Sequence, residues 1–188
     1  MSFEDSIFDN PDPIVALARA SVEFHTRTGG IYALPNDVPA DLLSIRAGAF
    51  VSLHESGELR GCIGTIGATQ DSLALEVIRN AVLACSEDPR FPPVSVGELD
   101  MLEYSVDVLD PPEPIDSPED LDVLEFGVIV SKDWRRGLLL PNLEGIDTVE
   151  QQVAIAKRKA GIALDEPGVS LQRFRVVRHA RGGRPRRG

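Results

Sequence analysis

The chain of 188 residues is 43% apolar and carries a net charge of −11, values that predict a soluble globular protein with one domain. Its acidity argues against broad binding to nucleic-acid phosphates. Its apolar runs are shorter than the roughly 20 residues of a membrane span, and its acidic first residues lack the pattern of a signal peptide, so we expect a cytoplasmic protein without a membrane partner.

Turn signals and the spacing of apolar residues predict three elements in the first half of the chain. They are a helix from Asp12-Pro13 to Gly29-Gly30, a hairpin of residues 49–54 and 59–66 around the turn Glu55–Glu58, and a broadly buried helix at residues 71–86. A proline-rich connector at residues 34–39 separates the first helix from the hairpin. The segment 87–93, also rich in proline, is expected to be rigid and non-helical.

The second half adds strands, a further hairpin and a helix. The predicted elements are a helical turn at Ser95–Glu98, a strand at 102–108, a proline-rich loop at 110–120, a hairpin of 126–131 and 137–140, a helix from Thr148 to Gly161, and a strand at 169–178. Because hairpins and separated helices dominate, the order favours an α+β fold with a largely antiparallel sheet. We expect one domain over residues 1–179 and a disordered Arg/Gly-rich tail at 180–188.

The arginines are concentrated at the C-terminus. Residues 178–188 hold five arginines and no acidic residue, which leaves a charge of −16 on the rest of the chain. This tail could contact RNA, but a solvated terminus is the preferred interpretation, so we do not expect nucleic acid as a partner.

Cysteine and histidine usage argues against a disulfide framework and against a metal centre. Cys62 and Cys85 are expected to be free thiols, with Cys85 packed inside the second helix. No Cys/His pair has the spacing of a zinc site, and nothing in the sequence requires a cofactor. A Cys–His catalytic dyad cannot be identified from the sequence alone.

The segment Leu59–Thr65, Leu-Arg-Gly-Cys-Ile-Gly-Thr, places a thiol and an arginine among glycines in a predicted strand. Glycine weakens a strand interior unless a bulge, a bend or a close approach requires it. Cys62 is therefore the candidate catalytic group, as a nucleophile or a redox group, with a small buried apolar residue as the alternative. On a regular strand Arg60 would share its face and could polarise the thiol, whereas a bulge would separate the two, and a structural ion pair is the other interpretation.

The glycines of this segment also precede the helix predicted at residue 71. Gly61, Gly64 and Gly67 could offer backbone amides to a phosphate at the helix start. Their spacing matches neither the dinucleotide fingerprint nor a P-loop. Hairpin curvature and tight packing are therefore the preferred explanation.

Proline-rich segment 87–93 restricts the backbone around two candidate binding residues, Arg90 and Phe91. Phe91 is expected to anchor the segment in the core. Arg90 either pairs with Asp88 or joins Arg60 around a pocket for an anionic or planar ligand. Asp107 is a further candidate for the same pocket, with a solvated strand face as the alternative.

Eight sequence blocks occur in the order found in one protein family. They are Gly48–Leu53, Leu59–Thr65, Asp88–Val94, Ser105–Leu109, Gly127–Val130, Gly137–Pro141, Leu143–Glu150 and Lys159–Ile162. Over residues 13–179 the chain therefore resembles the AMMECR domain family, called AmmeMemoRadiSam system protein A in bacteria and archaea. Two positions depart from family patterns: Asn142 stands in place of an aspartate, and Lys157 stands where some members have a cysteine.

The resemblance implies an α+β fold with a strongly curved, barrel-like sheet and two unequal lobes. It also implies association with a radical SAM enzyme and a Memo-like protein, without an established reaction. The leading hypothesis is a component of a modification pathway that binds a small-molecule or macromolecular substrate or an intermediate in a cleft near Cys62. The substrate-binding candidates are Arg60, Gly61, Gly64, Thr65, Asp88, Arg90 and Phe91. A non-enzymatic adaptor that docks the two partner proteins is the alternative.

Overall fold

The computed structural model describes residues 12–180 and the backbone of residues 186 and 187. It divides into two compact units, one of residues 12–108 and 178–180 and the other of residues 109–177. Of the predicted disordered tail, residues 181–185 and 188 lie outside the described residues. Among the described helices, none is both long and apolar enough to cross a membrane.

Capping residues define the helices, which are α1 Pro13–Thr28, α2 Ala40–Ser44, α3 Leu73–Ser86 and α4 Val149–Lys159, with short 3₁₀ helices at Val96–Met101 and Pro118–Asp120. The Asp12 carboxylate accepts from the Ile14 amide at 3.2 Å, and Gly29 ends α1 with φ +72°, as both residue types favour. The predicted helices are confirmed, whereas α2 was not predicted because it follows a proline-rich connector.

The strands of the described chain are β1 Ala49–Glu55, β2 Glu58–Gly64, β3 Leu102–Leu109, β4 Glu113–Ile115, β5 Gly127–Lys132, β6 Arg135–Leu139, β7 Ser170–Phe174, β8 Val176–Ala180 and β9 Arg186–Arg187. They form two sheets, with the strand orders β2-β1-β3-β8-β9 and β4-β7-β5-β6. The first hairpin turns through Ser56 and Gly57, both at positive φ, as in a type I′ turn.

In the first unit, α1 and α3 pack on one face of the β1–β3 sheet. That face carries Ala49, Val51 and Leu53 of β1, all fully buried. The opposite face of β1 presents Phe50 and Ser52, which are only half-buried. Strand alternation therefore separates a hydrophobic core from a second face that includes polar side chains.

In the second unit, α4 packs on β5 and β6 over a smaller core. A Cβ added at Gly137 of β6 would lie 2.1 Å from the carbonyl oxygen of Ala156 in α4, so the close approach of helix and strand requires glycine. Asn142 has φ +52°, a conformation that Asn and Asp tolerate better than other residues.

The α+β prediction is confirmed, but its barrel-like part is not supported, because the described strands form two antiparallel sheets and no closed barrel. The predicted strand 169–178 is two strands in different sheets, β7 and β8, separated at Arg175. The predicted loop 110–120 contains β4, which pairs with β7 at the sheet edge. An edge strand tolerates Pro114, which has no amide hydrogen to donate.

Candidate functional site

A β-bulge in the first hairpin decides which way Cys62 points. The pairing register shifts between Leu53 and His54, so that Leu59 pairs with His54, Gly61 pairs with Leu53, and Arg60 is the additional residue. Cys62 consequently lies opposite Ser52, on the face that does not meet the α1–α3 core. The bulge also removes Arg60 from the regular alternation that predicted it beside the thiol.

The Cys62 thiol is half-buried and accepts a hydrogen bond from the Ser52 hydroxyl, with 3.2 Å between Oγ and Sγ. Burial raises the pKa of Cys62, while the Ser52 hydroxyl and the nearby Arg90 guanidinium act in the opposite direction. The resting group is therefore a neutral thiol. When it loses its proton, the resulting thiolate has the Ser52 hydroxyl as a hydrogen-bond donor and the Arg90 cation nearby. Cys85, by contrast, lies in the core, and burial raises its pKa to about 11.

Asp88 and Arg90 bind the outer edge of β2 at Cys62. The Asp88 carboxylate accepts from the Cys62 amide at 2.8 Å, and Arg90 Nη2 donates to the Cys62 carbonyl oxygen at 3.2 Å. Arg90 also donates through Nε and Nη2 to both oxygens of Asp88, at 2.9 and 2.7 Å. These bonds from Arg90 hold the pKa of Asp88 well below its usual range. Of the two interpretations, the one in which Arg90 pairs with Asp88 is thus observed. The pair forms hydrogen bonds with the amide and the carbonyl oxygen of Cys62, which would otherwise be unpaired at the edge of the sheet.

Asp107 holds a second arginine on the same sheet. Ser52 pairs with Ser105 across β1 and β3, and Asp107 lies two residues further along β3, where it pairs with Phe50. The buried Asp107 carboxylate accepts from Arg178 Nε at 2.7 Å and from Nη2 at 2.8 Å. Asp107 is therefore not a solvated strand residue but the anchor of a guanidinium.

Arg60 forms a structural ion pair, the second of the two interpretations that the sequence allowed. Its Nε donates to Glu98 Oε1 at 2.6 Å, and this hydrogen bond lowers the pKa of Glu98 to about 2. The Phe91 ring lies between the two arginines, with its centroid 5.9 Å from Arg60 Cζ and 5.5 Å from Arg90 Cζ. Phe91 is half-buried and packs on guanidinium planes rather than anchoring the segment in the core.

The two glycines of the motif meet the protein's own atoms. A Cβ at Gly61 would lie 2.3 Å from the Ala84 carbonyl oxygen in α3, and a Cβ at Gly64 would lie 2.3 Å from the Phe50 ring. Both positions therefore require glycine for packing, as the preferred interpretation held, and the close approach needs no ligand.

A carboxylate of the chain itself binds backbone amides just before α3, the helix start at which phosphate binding was the less favoured interpretation. Glu76 of α3 is fully buried and accepts from the backbone amides of Thr69 and Gln70 at 2.7 and 2.8 Å. It also accepts from the hydroxyls of Thr65 and Thr69 at 2.6 and 2.9 Å. Thr65 thus belongs to an internal hydrogen-bond network, and Glu76 supplies the negative charge that a bound phosphate would have supplied.

The structure brings together Cys62, Ser52, Asp88 and Arg90, with the Asp107–Arg178 pair further along the same sheet. Ser52 and Arg178 were not among the predicted site residues, because their proximity depends on strand pairing across β2, β1, β3 and β8. Within the described residues, no group of three or more His, Cys, Asp or Glu side chains could hold a metal ion. The arrangement offers a thiol, a hydroxyl and guanidinium groups for chemistry.

Replacing Asp88 with alanine is expected to lower the free energy of unfolding by about 2–3 kcal/mol, because it leaves the Cys62 amide and the Arg90 fork without their acceptor. Chemical denaturation measures the loss. The pKa of Asp88 is depressed in the folded state, so its contribution is present above about pH 4, the unfolded value, and falls as the pH is lowered. The loss in Asp88→Ala should therefore shrink in acid.

Glu87→Ala is the matched control, since Glu87 is an exposed carboxylate next in the chain. Its replacement should change the free energy of unfolding by less than about 0.5 kcal/mol. Equal losses in the two variants would contradict the role assigned to Asp88.

The fold and the sequence around Cys62 match one family of proteins. The model of the AMMECR1 family matches residues 15–179, and the chain belongs to this family. The resemblance inferred from the eight sequence blocks is therefore confirmed.

Relatives of this chain come from both bacteria and archaea. A protein of Thermotoga maritima is 51% identical over 168 residues, which cover 89% of this chain and 97% of that protein. Protein CA_C1420 of Clostridium acetobutylicum is 47% identical over 89% of this chain, but the match covers only 36% of that longer protein. The crystal structure of the uncharacterized protein PH0010 from Pyrococcus horikoshii superposes with a TM-score of 0.82 at 32% identity, covering 93% of this chain and 94% of that one.

Proposed function

We propose that the chain is a cytosolic component of a modification pathway like the AmmeMemoRadiSam system, and that it binds a substrate or intermediate on the sheet face around Cys62. Cys62 is the reacting group, as a nucleophile or a redox group. The observation that supports this proposal is the thiol's position beside the Ser52 hydroxyl at 3.2 Å, with Arg90 held at the same strand by Asp88. A purely packing cysteine has no need of this polar surrounding.

Cys62→Ser is expected to lower product formation at least about 100-fold in a reaction reconstituted with the radical SAM enzyme and the Memo-like protein, because serine is a far weaker nucleophile and has no redox chemistry. Cys85→Ser is the matched control, since its thiol is buried in the core and should leave the rate nearly unchanged. Full activity of the Cys62 variant would reject the chemical role.

Alkylation tests the condition on which this chemistry depends. In the native protein, iodoacetamide should modify Cys62 faster than Cys85, because Cys62 is less buried and has a hydroxyl donor and an arginine beside it. Peptide mapping by mass spectrometry after timed quenching gives both rates. A Cys62 that reacts no faster than Cys85 would count against a nucleophilic role.

The adaptor alternative is favoured by one observation outside this site. Trp134, in the turn between β5 and β6, is 89% exposed, and exposed aromatic side chains are enriched at protein interfaces. If the chain acts as an adaptor, Trp134→Ala should weaken capture of the partner proteins while Cys62→Ser leaves capture unchanged. Unchanged capture in Trp134→Ala would contradict a docking role for this tryptophan.

A further inference from the structure

Two arginines next to the candidate site are held by buried carboxylates in the same way. Arg90 and Arg178 each use Nε and Nη2 to bind both oxygens of one aspartate, Asp88 and Asp107 respectively. The aspartate side chains are only 2% and 3% exposed, whereas those of Arg90 and Arg178 are 54% and 47% exposed. Each aspartate thus fixes its guanidinium from the protein side through Nε and Nη2, while about half of the arginine side chain stays exposed.

Each guanidinium keeps Nη1 donors that the described protein does not use, although Arg90 Nη2 also donates to the Cys62 carbonyl oxygen. Among the described residues, no acceptor is hydrogen-bonded to Nη1 of Arg90 or of Arg178. A guanidinium has five N–H donors and no acceptor, and it matches the planar or tetrahedral oxygens of carboxylate and phosphate groups. Fixing it beforehand reduces the entropy lost when such a group binds.

The strand order places these arginines on either side of the thiol. Arg90 contacts the backbone of Cys62 at the outer edge of β2, and Arg178 comes from β8, beyond β1 and β3. Neighbouring strands lie about 4.8 Å apart, so the Ser52–Cys62 pair lies between the two guanidiniums along the sheet. The charges of Arg90 and Asp107 both act on the thiol, and that of Cys62 acts on Arg178, which places all these groups in one electrostatic neighbourhood.

We infer that the ligand of this sheet face is an oxyanion, a carboxylate or phosphate compound whose charged groups bind the Nη1 donors of Arg90 and Arg178 and whose reacting part lies over Cys62. This inference rests on the proposed function and names the chemical class of its substrate. Because the chain carries a net charge of −11, binding of such a ligand depends on these directed donors and not on the overall charge of the protein.

Titration with inorganic phosphate and with succinate tests the inference on the intact protein. Either probe should slow iodoacetamide modification of Cys62 at least about threefold along a saturable curve, while sodium chloride at equal ionic strength should not. Protection by phosphate alone or by succinate alone identifies which oxyanion the face prefers. The inference is overturned if neither probe gives saturable protection.

Arg90→Lys and Arg178→Lys keep the charge opposite each aspartate but remove the fork, and each should raise the half-saturating probe concentration at least about fivefold. Arg79→Lys, on the exposed side of α3, is the control and should leave it unchanged. Protection that is equal in all three variants overturns the inference even if wild-type protein is protected, because the anion would then bind elsewhere.

Calorimetric titration of Cys62→Ser separates this inference from the proposed function. Retained oxyanion binding together with full pathway activity in this variant would sink the chemical role of the thiol and leave the ligand class standing. Lost activity in Cys62→Ser with no oxyanion binding in wild-type protein would overturn the ligand class and leave the chemical role of the thiol standing.

Discussion

Glu76→Ala is expected to lower the free energy of unfolding by about 3–5 kcal/mol, the largest effect of any substitution considered for this protein. The change removes a fully buried carboxylate and leaves the backbone amides of Thr69 and Gln70 without their acceptor. An unsatisfied buried donor costs about 1–3 kcal/mol, and the lost side-chain volume adds to this. Thermal unfolding should show a fall in Tm of roughly 10 °C or more for a chain of this size.

Glu76→Gln is the matched control, because one amide oxygen can still accept from the two backbone amides while the side-chain NH₂ group donates to a threonine hydroxyl. The loss of unfolding free energy in this variant should be less than half that of the alanine variant.

Burial raises the pKa of Glu76, but the hydrogen bonds from Thr65, Thr69 and Gln70 outweigh burial and lower it. The stability from its charge is therefore present above about pH 4.3 and declines in acid, so wild type and Glu76→Gln should converge there. An alanine variant as stable as wild type would refute the role of this carboxylate.

Gly61→Ala should lower the free energy of unfolding by about 2–3 kcal/mol, as much as Asp88→Ala. The added Cβ would lie 2.3 Å from the Ala84 carbonyl oxygen, and because that atom belongs to the backbone of α3, strand and helix must move apart. The expected fall in Tm is roughly 5–10 °C.

Gly67→Ala provides the comparison for Gly61→Ala. Gly67 has an ordinary φ and no atom within 4 Å of the added Cβ, so its Tm should change by no more than about 2 °C. Equal shifts for the two substitutions would mean that the contact between β2 and α3 is not what requires Gly61.

Local signals were sufficient for most of the fold. The caps at Asp12 and Thr148, the turn at Ser56-Gly57 and the alternation along β3 each depend on a few neighbouring residues, and each predicted its element. The failures arose where tertiary pairing decides the outcome. The strand at 169–178 divides between two sheets, and β4 exists only because β7 provides a partner for its short proline-containing edge.

The sequence predicted where the candidate site lies in the chain but not how its side chains contact one another. Cys62 and the segment around Arg90 could be singled out from glycine and proline spacing, and the Asp88–Arg90 pair was one of two stated interpretations. Asp107 was a stated candidate, but its bond to Arg178 and the approach of Ser52 depend on strand pairing, which the sequence pattern does not specify. The role of Glu76 was missed because an acidic residue within an apolar helix sequence only interrupts the spacing of apolar residues and does not indicate its hydrogen-bond partners.

The bulge at Arg60 keeps the thiol on the sheet face shared with Ser52 because it leaves one residue of β2 unpaired. If Arg60 were instead paired in the register of Glu55–Glu58 and His54–Leu59, Cys62 would lie opposite Val51, which is fully buried. Opposed residues of an antiparallel pair share a face, so a strand that paired Arg60 would turn the thiol into the core. Deleting Arg60 would keep Gly61 opposite Leu53 and Cys62 opposite Ser52 in a regular ladder, and the property lost would be the ion pair of Arg60 with Glu98.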